Sequence, residues 1–256
     1  MTGFVFSLNS AVSLSIDIFP PFCKNGVMRK YTFLLFDADN TLLDFDENER
    51  VSIRNTFEKF GLPCNEETLK LYHDINISYW AMLAENRITR EELLIKRFET
   101  LFEKVGIKAD PVETENYYRN RLGQGHQLVK GALDVCRTLS RDYRLFIITN
   151  GVARTQHERI EASGLAPYME KIFISDEIGH NKPAREFFDF VANDIEGFEP
   201  SRALVIGDAL FSDIRGGYEY GLDTCWLNIY NEKNTTEIRP TYEIRDIVDI
   251  YDVLGC

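Results

Sequence analysis

The chain has 256 residues, 44% of them hydrophobic and 27% charged, enough for a core domain with a smaller companion and too ordinary for wholesale disorder. Its formal net charge is −12, and an acidic surface repels polynucleotide backbones and anionic membranes, so neither a nucleic-acid polymer nor a membrane is expected as partner. The five cysteines (Cys23, Cys64, Cys136, Cys225, Cys256) include no C-x-x-C pair; they suggest neither a disulfide framework nor a zinc site, and scattered thiols fit a reducing, cytoplasmic setting.

No apolar run reaches about 18 residues, so no transmembrane helix is expected. Residues 4–22 are fairly apolar, but no basic residue precedes them, Asp17 interrupts them and no small-residue cleavage site is evident, which disfavours a signal peptide. Residues 1–27 are read instead as an extension upstream of a natural start at Met28.

The first strong pattern is 31–36 (Y-T-F-L-L-F), short, apolar and β-prone, as expected of a strand buried on both faces. Residues 45–127 then lack any buried-strand pattern. Ile53, Phe57 and Phe60 mark a helix stopped by Gly61-Leu62-Pro63, and Leu69, Tyr72, Asn76, Tyr79 and Leu83 mark a second. Thr89 and Glu92 have capping-box spacing and open a third helix, which runs through Leu94, Phe98, Leu101, Phe102 and Val105 to Gly106; residues 113–122 suggest a fourth. This reads as an all-helical insert.

After it, apolar runs alternate with helical ones. Strands are expected at 145–148, 172–174, 203–206 and 224–227, and helices at 152–163, 184–194 and 212–220, with Gly164 and Gly221 as stops. The alternation predicts an α/β fold, a doubly wound parallel sheet with helices on both faces. The domains are then 28–44 with 128–256 as core, and 45–127 as insert.

Polar residues follow each strand. Asp37 and Asp39 follow the first, Thr149, Asn150 and Gly151 the second, and Gly207, Asp208 and then Asp213 the fourth. Ligands of open parallel sheets bind at the carboxyl ends of the strands, so these groups converge. Several carboxylates brought together repel one another unless a hard cation with oxygen ligands neutralises them, and Mg2+ suits such a site. Lys182, in Gly179-His180-Asn181-Lys182-Pro183, precedes a helix and has a role beside a phosphate, stabilising charge on transferring oxygens. The four histidines show no metal-ligand spacing.

Together these residues resemble the haloacid dehalogenase (HAD) superfamily of phosphotransferases. Its four motifs occur in order: D-x-D-x-T at Asp37, Asp39 and Thr41, the strand-terminal Thr149, Lys182-Pro183, and Gly207-Asp208 with Asp213. The resemblance implies a Rossmann-like core with a helical cap over residues 45–127. It implies Asp37 as the nucleophile that becomes an aspartyl phosphate, and Asp39 as general acid and then base. Thr149 and the backbone N–H groups around Asn150 and Gly151 would hold phosphoryl oxygens, and Lys182 would neutralise charge. Mg2+ would be held by Asp37, the Asp39 carbonyl and Asp208, with Asp213 orienting metal-bound water. An acid two residues after the nucleophile favours phosphate esters over carbon–halogen bonds.

Several stretches resemble one subgroup, the noncanonical pyrimidine 5′-nucleotidases: 36–45 (F-D-A-D-N-T-L-L-D-F), 147–151 (I-I-T-N-G), 174–179 (I-S-D-E-I-G) and 224–228 (T-C-W-L-N), with Asn76, Trp80, Arg97 and Phe98 in the cap. The implied substrate is a pyrimidine nucleoside 5′-monophosphate, with Trp80 stacking on the base or packing in a core, and Arg97 contacting phosphate or sugar or making a surface salt bridge. The rival reading is a phosphatase for another small metabolite, a sugar phosphate or phosphoglycolate. The protein is expected to act as a monomer or homodimer.

Overall fold

Six apolar segments form one parallel sheet: β1 (Phe33–Phe36), β2 (Arg144–Thr149), β3 (Lys171–Ile174), β4 (Ala203–Gly207), β5 (Asp223–Leu227) and β6 (Tyr242–Ile244), in the order β3-β2-β1-β4-β5-β6. The structure is a computed structural model that describes residues 29–85 and 87–255. The expected extension 1–27 and start at Met28 lie outside the described residues, as do Cys23 and Cys256. Cys64, Cys136 and Cys225 are free thiols. Among the described residues no helix is long and apolar enough to cross a membrane.

Between β1 and β2 the chain leaves the sheet for α1 (Phe45–Phe60), α2 (Glu66–Ala84), α3 (Arg90–Val105) and α4 (Pro111–Gln124). Each starts on a side chain that accepts otherwise unpaired N–H groups: Asp44, Asn65, Thr89 and Asp110. Thr89 and Glu92 form the full capping box. The apolar faces converge on a core of their own, with Ile53, Phe57, Tyr72, Ile75, Phe98, Leu101 and Tyr118 buried. Each such side chain contributes roughly 1.5–3 kcal/mol on burial. A bridge between Leu43 and Leu128 brings the two ends of the insert together.

The remaining helices are α5 (Ala132–Leu139), α6 (Ala153–Ala162), α7 (Ser175–Ile178), α8 (Arg185–Asp194), α9 (Arg215–Tyr220) and α10 (Ile250–Leu254). Leu34, Phe36, Leu145, Ile147, Leu204 and Ile206 face Val135 and Leu139 of α5, Ile160 of α6 and Ile250 of α10. Their neighbours in the strands, Phe33, Leu35, Phe146, Ile148 and Val205, face Phe187, Phe188 and Val191 of α8. Successive side chains point to opposite faces, so a strand covered on both sides is apolar throughout.

The structure differs from expectation in detail. β1 starts at Phe33, and Tyr31 ahead of it is buried and donates its hydroxyl to Asp223 at 2.7 Å. β6, α5, α7 and α10 were not foreseen. The expected helix 212–220 is two pieces, a π-helical turn at Leu210–Ile214 and then α9. The apolar pattern is blind to the wider turn, which leaves Asp213 buried and Phe211 65% exposed.

Candidate active site

β1 is the first strand in sequence but lies inside the sheet, with β2 on one side and β4 on the other. The chain thus winds away in both directions from β1, and the carboxyl ends of β1 and β4 border the crevice that results. The Asp37 N–H donates to the Ile206 carbonyl at 2.8 Å, fixing the first residue after β1 against the end of β4. The Asp37 side chain is buried, and its Oδ1 accepts from Lys182 Nζ at 2.6 Å. Lys182 also donates to Asp213 Oδ1 at 2.6 Å and to the Ile148 carbonyl at 2.7 Å. Its ammonium therefore sits fully buried between two carboxylates. Burial opposes the charged form, but Asp213 and Asp37 outweigh it and raise the pKa. Gly207 makes room: a Cβ there would lie 2.4 Å from Asp213 Oδ2.

Asp37, Asp208 and Asp213 each offer a carboxylate oxygen within 4.8 Å of the others. Burial, then repulsion from Asp213, pushes the Asp37 carboxyl up to about 8 despite Lys182. Burial and the charges of Asp37 and Asp213 push Asp208 well above the carboxylate range. Three crowded carboxylates with one ammonium leave an excess of negative charge. An all-oxygen set with that excess fits a hard divalent cation such as Mg2+.

Asp39 stands beside this cluster and is partly exposed. Its Oδ1 accepts from Arg159 at 2.5 Å and its Oδ2 from Gln156 Nε2 at 2.9 Å. Gln156 also donates to Thr149 Oγ1 at 2.7 Å, and that oxygen accepts the Gly151 N–H at 3.2 Å. Gln156 and Arg159 were missed in the sequence. The available signal was their spacing: three apart on α6, they share the helix face behind Thr149. The Asn150 side chain does not face a ligand freely; it clamps the Lys182 backbone, accepting from its N–H at 2.8 Å and donating to its carbonyl at 2.9 Å. The Lys182–Pro183 peptide is cis.

Above the carboxylates lies a cavity of about 420 Å³ roofed by the helical insert. Ile77, Trp80, Leu94 and Val152 make its apolar wall with Phe211, a further residue the sequence did not single out. Trp80 packs on the cluster of Leu83, Ile88, Leu93 and Leu94, as the packing reading expected, and it also lines the cavity. Arg97 is buried rather than at the surface. It pairs with Glu115 Oε2 at 2.6 Å and donates to Asn76 Oδ1 at 2.8 Å. Asn76 donates in turn to Glu49 Oε1 at 2.6 Å, and His73 contacts Glu49 Oε2 at 2.7 Å. The expected site residues from Asp37 to Asp213 therefore line one crevice, and Arg97, held in a buried network of its roof, lines the same cavity.

Residues 31–221 match the model of the haloacid dehalogenase-like hydrolases. The chain is 41% identical to the protein YfnB of Bacillus subtilis over 89% of this chain and 97% of that one. It is 37% identical to the pyrimidine 5′-nucleotidase PynA of Streptococcus pneumoniae over 88% and 95%, and 29% identical to the pyrimidine 5′-nucleotidase YjjG of Escherichia coli over 88% and 98%. A crystal structure of YfnB bound to magnesium superposes with a TM-score of 0.85 at 40% identity, covering 89% of this chain and all of that one. The sheet, the crevice and these relatives agree: the chain belongs to the haloacid dehalogenase-like hydrolases and is a phosphoric monoester hydrolase.

Proposed function

We propose that this phosphatase hydrolyses pyrimidine nucleoside 5′-monophosphates through an aspartyl phosphate on Asp37, with Mg2+ bound. The observation that carries the chemistry is the convergence of Asp37, Asp39, Thr149, Lys182 and Asp208 on one crevice under an apolar cavity. The choice of substrate is supported by the 37% identity to PynA and by the walls of the cavity. Trp80 and Phe211 offer flat apolar surface to a base, which stacks on aromatic rings whatever its sequence context.

In the first step an Asp37 oxygen attacks phosphorus, a new O–P bond forms and the bond to the nucleoside 5′-oxygen breaks. Asp39 supplies the proton that the departing oxygen needs. A water then attacks phosphorus, Asp39 takes its proton, and orthophosphate leaves as Asp37 is regenerated. Thr149 and the Gly151 N–H donate to the phosphoryl oxygens, and Lys182 balances their charge. Asp37, Asp208 and the Asp39 carbonyl would hold Mg2+, with Asp213 behind them. When bound, the ion supplies a positive charge that offsets the carboxylates and the phosphate. The helical roof excludes bulk water.

The test is turnover of UMP, dUMP and dTMP with Mg2+ against ribose 5-phosphate and phosphoglycolate. The reading predicts that kcat/KM is highest for the pyrimidine nucleotides. Faster turnover of either small ester would replace it with the small-metabolite reading.

A further inference from the structure

Arg90 is the first residue of α3, in the insert, yet its guanidinium is largely buried against the sheet domain, its side chain 10% exposed. One terminal nitrogen donates to the carbonyls of Asn150 at 2.9 Å and Gly151 at 2.7 Å. The other donates to Ser175 Oγ at 2.7 Å and Asn181 Oδ1 at 2.5 Å, while Nε lies 3.3 Å from Asp176. The five N–H groups of the rigid fork are thus spread over five partners. None of these partners is on the insert.

Asn150 and Gly151 lie in the loop after β2 and Asn181 in the loop of Lys182, the two loops proposed to carry the phosphate-binding groups, while Ser175 and Asp176 open α7. In a trans peptide the carbonyl and the next N–H point in opposite directions. A guanidinium holding the Asn150 carbonyl therefore turns the Gly151 N–H the other way, and that N–H is found 3.2 Å from Thr149 Oγ1, facing the crevice. Hydrogen bonding at the carbonyl also polarises the peptide and strengthens its N–H as a donor. Asn181 directly precedes Lys182, and Asn150 clamps the Lys182 backbone from the other side. One side chain of the insert thus braces both the donor loop and the ammonium loop.

We propose that Arg90 is a positioning residue for phosphate: docking of the insert delivers a guanidinium that aims the Gly151 N–H and fixes the loop of Lys182. The donors for the phosphoryl group are then complete only when the roof is seated, so substrate is gripped where water is already excluded. The inference rests on the crevice being the phosphate site.

The test uses the full chain with Mg2+ and orthophosphate as probe, comparing wild type with Arg90→Lys and Arg90→Gln by calorimetry. The expected result is a Kd for orthophosphate raised about tenfold or more in both, the scale of one lost charge-assisted hydrogen bond. The Kd for Mg2+ stays within about twofold of wild type, and the Gly151 amide resonance shifts in the free variants. Arg90→Lys keeps the charge and loses the fork, so it decides the matter if Arg90→Gln does not fold. Wild-type affinity for orthophosphate in a folded variant overturns the proposal, leaving Arg90 as a fastener of the roof. Failure of the wild type itself to bind orthophosphate overturns the phosphate site as well.

Discussion

Arg159, on α6, donates to Asp39 Oδ1 at 2.5 Å, and the same guanidinium donates through Nε to the Gly125 carbonyl at 3.2 Å, directly after α4. It also lies over the Phe45 ring at the start of α1, 5.5 Å from its centroid. The Asp39 carboxylate is thus tied to both ends of the helical insert through one buried cation. Arg159→Lys keeps the charge but cannot span these partners. It is expected to lower kcat on UMP by about a hundredfold, the lower end of what a general acid–base contributes. With p-nitrophenyl phosphate, whose leaving oxygen needs no proton, the loss is expected to be much smaller. Steady-state kinetics on the two esters check this; equal losses would mean that Arg159 supports the site as a whole and not Asp39.

Asp37→Asn is expected to lower turnover by on the order of 10⁴-fold or more while the fold is kept. It also tests the electrostatics. The folded-state pKa of Asp37 is raised to about 8 by burial and Asp213, against about 3.9 in an unfolded chain. Between those values the folded state holds a proton that the unfolded state has lost. The stability from this group is fully present below about pH 4 and is lost as pH rises through about 8. Without metal, the wild type is expected to lose Tm across that window more steeply than Asp37→Asn. Mg2+, which requires the ionised form, is expected to raise the wild-type Tm more at pH 8 than at pH 5. Parallel Tm-against-pH lines for the two proteins would contradict this account.

Much of the arrangement was legible because the sheet is parallel. Buried strands such as 145–148 and 203–206 read as unbroken apolar runs, and polar residues directly after them must gather at one edge. That logic alone brought Asp37, Thr149 and Asp208 together. It had no purchase on Gln156, Arg159 or Arg90, whose partners are set by how helices lie across the sheet. Nor did it reveal β6, whose three residues include an exposed Glu243 and, among the described residues, pair with β5 alone. Arg97 shows the opposite failure. The sequence offered Arg97 a phosphate or sugar contact or a surface salt bridge, and only the packing of α1 to α4 shows that its ion pair is buried, with Glu115 and Asn76 as partners.

Trp80 and Phe211 approach the cavity from different domains, α2 in the roof and the π-helical turn beside Asp208. If a base lies between them, each contributes to binding of the nucleoside but not to the phosphoryl chemistry. Trp80→Ala and Phe211→Ala are each expected to raise KM for UMP about tenfold, within the range of roughly 1–3 kcal/mol for stacking on one aromatic. Their kcat/KM for ribose 5-phosphate, which has no base, is expected to stay near wild type. Equal losses on both substrates would assign the two rings to packing.

Arg97 is expected to matter to stability before it matters to substrate. Both it and Glu115 are at most 5% exposed, so solvent screens the pair little. Burial raises the Glu115 pKa and Arg97 opposes that shift. Arg97→Met leaves Glu115 with only the more distant Arg119, 3.9 Å away and partly exposed, and Asn76 without a donor, a loss of about 3–5 kcal/mol on removal of one buried partner. Removing the second charge as well, in Arg97→Met with Glu115→Leu, is expected to return part of that loss, because two apolar side chains of similar volume leave no uncompensated carboxylate. Denaturant unfolding of the two variants measures both effects. A single variant that unfolds like wild type yet binds UMP poorly would move Arg97 from the framework of the roof to the substrate.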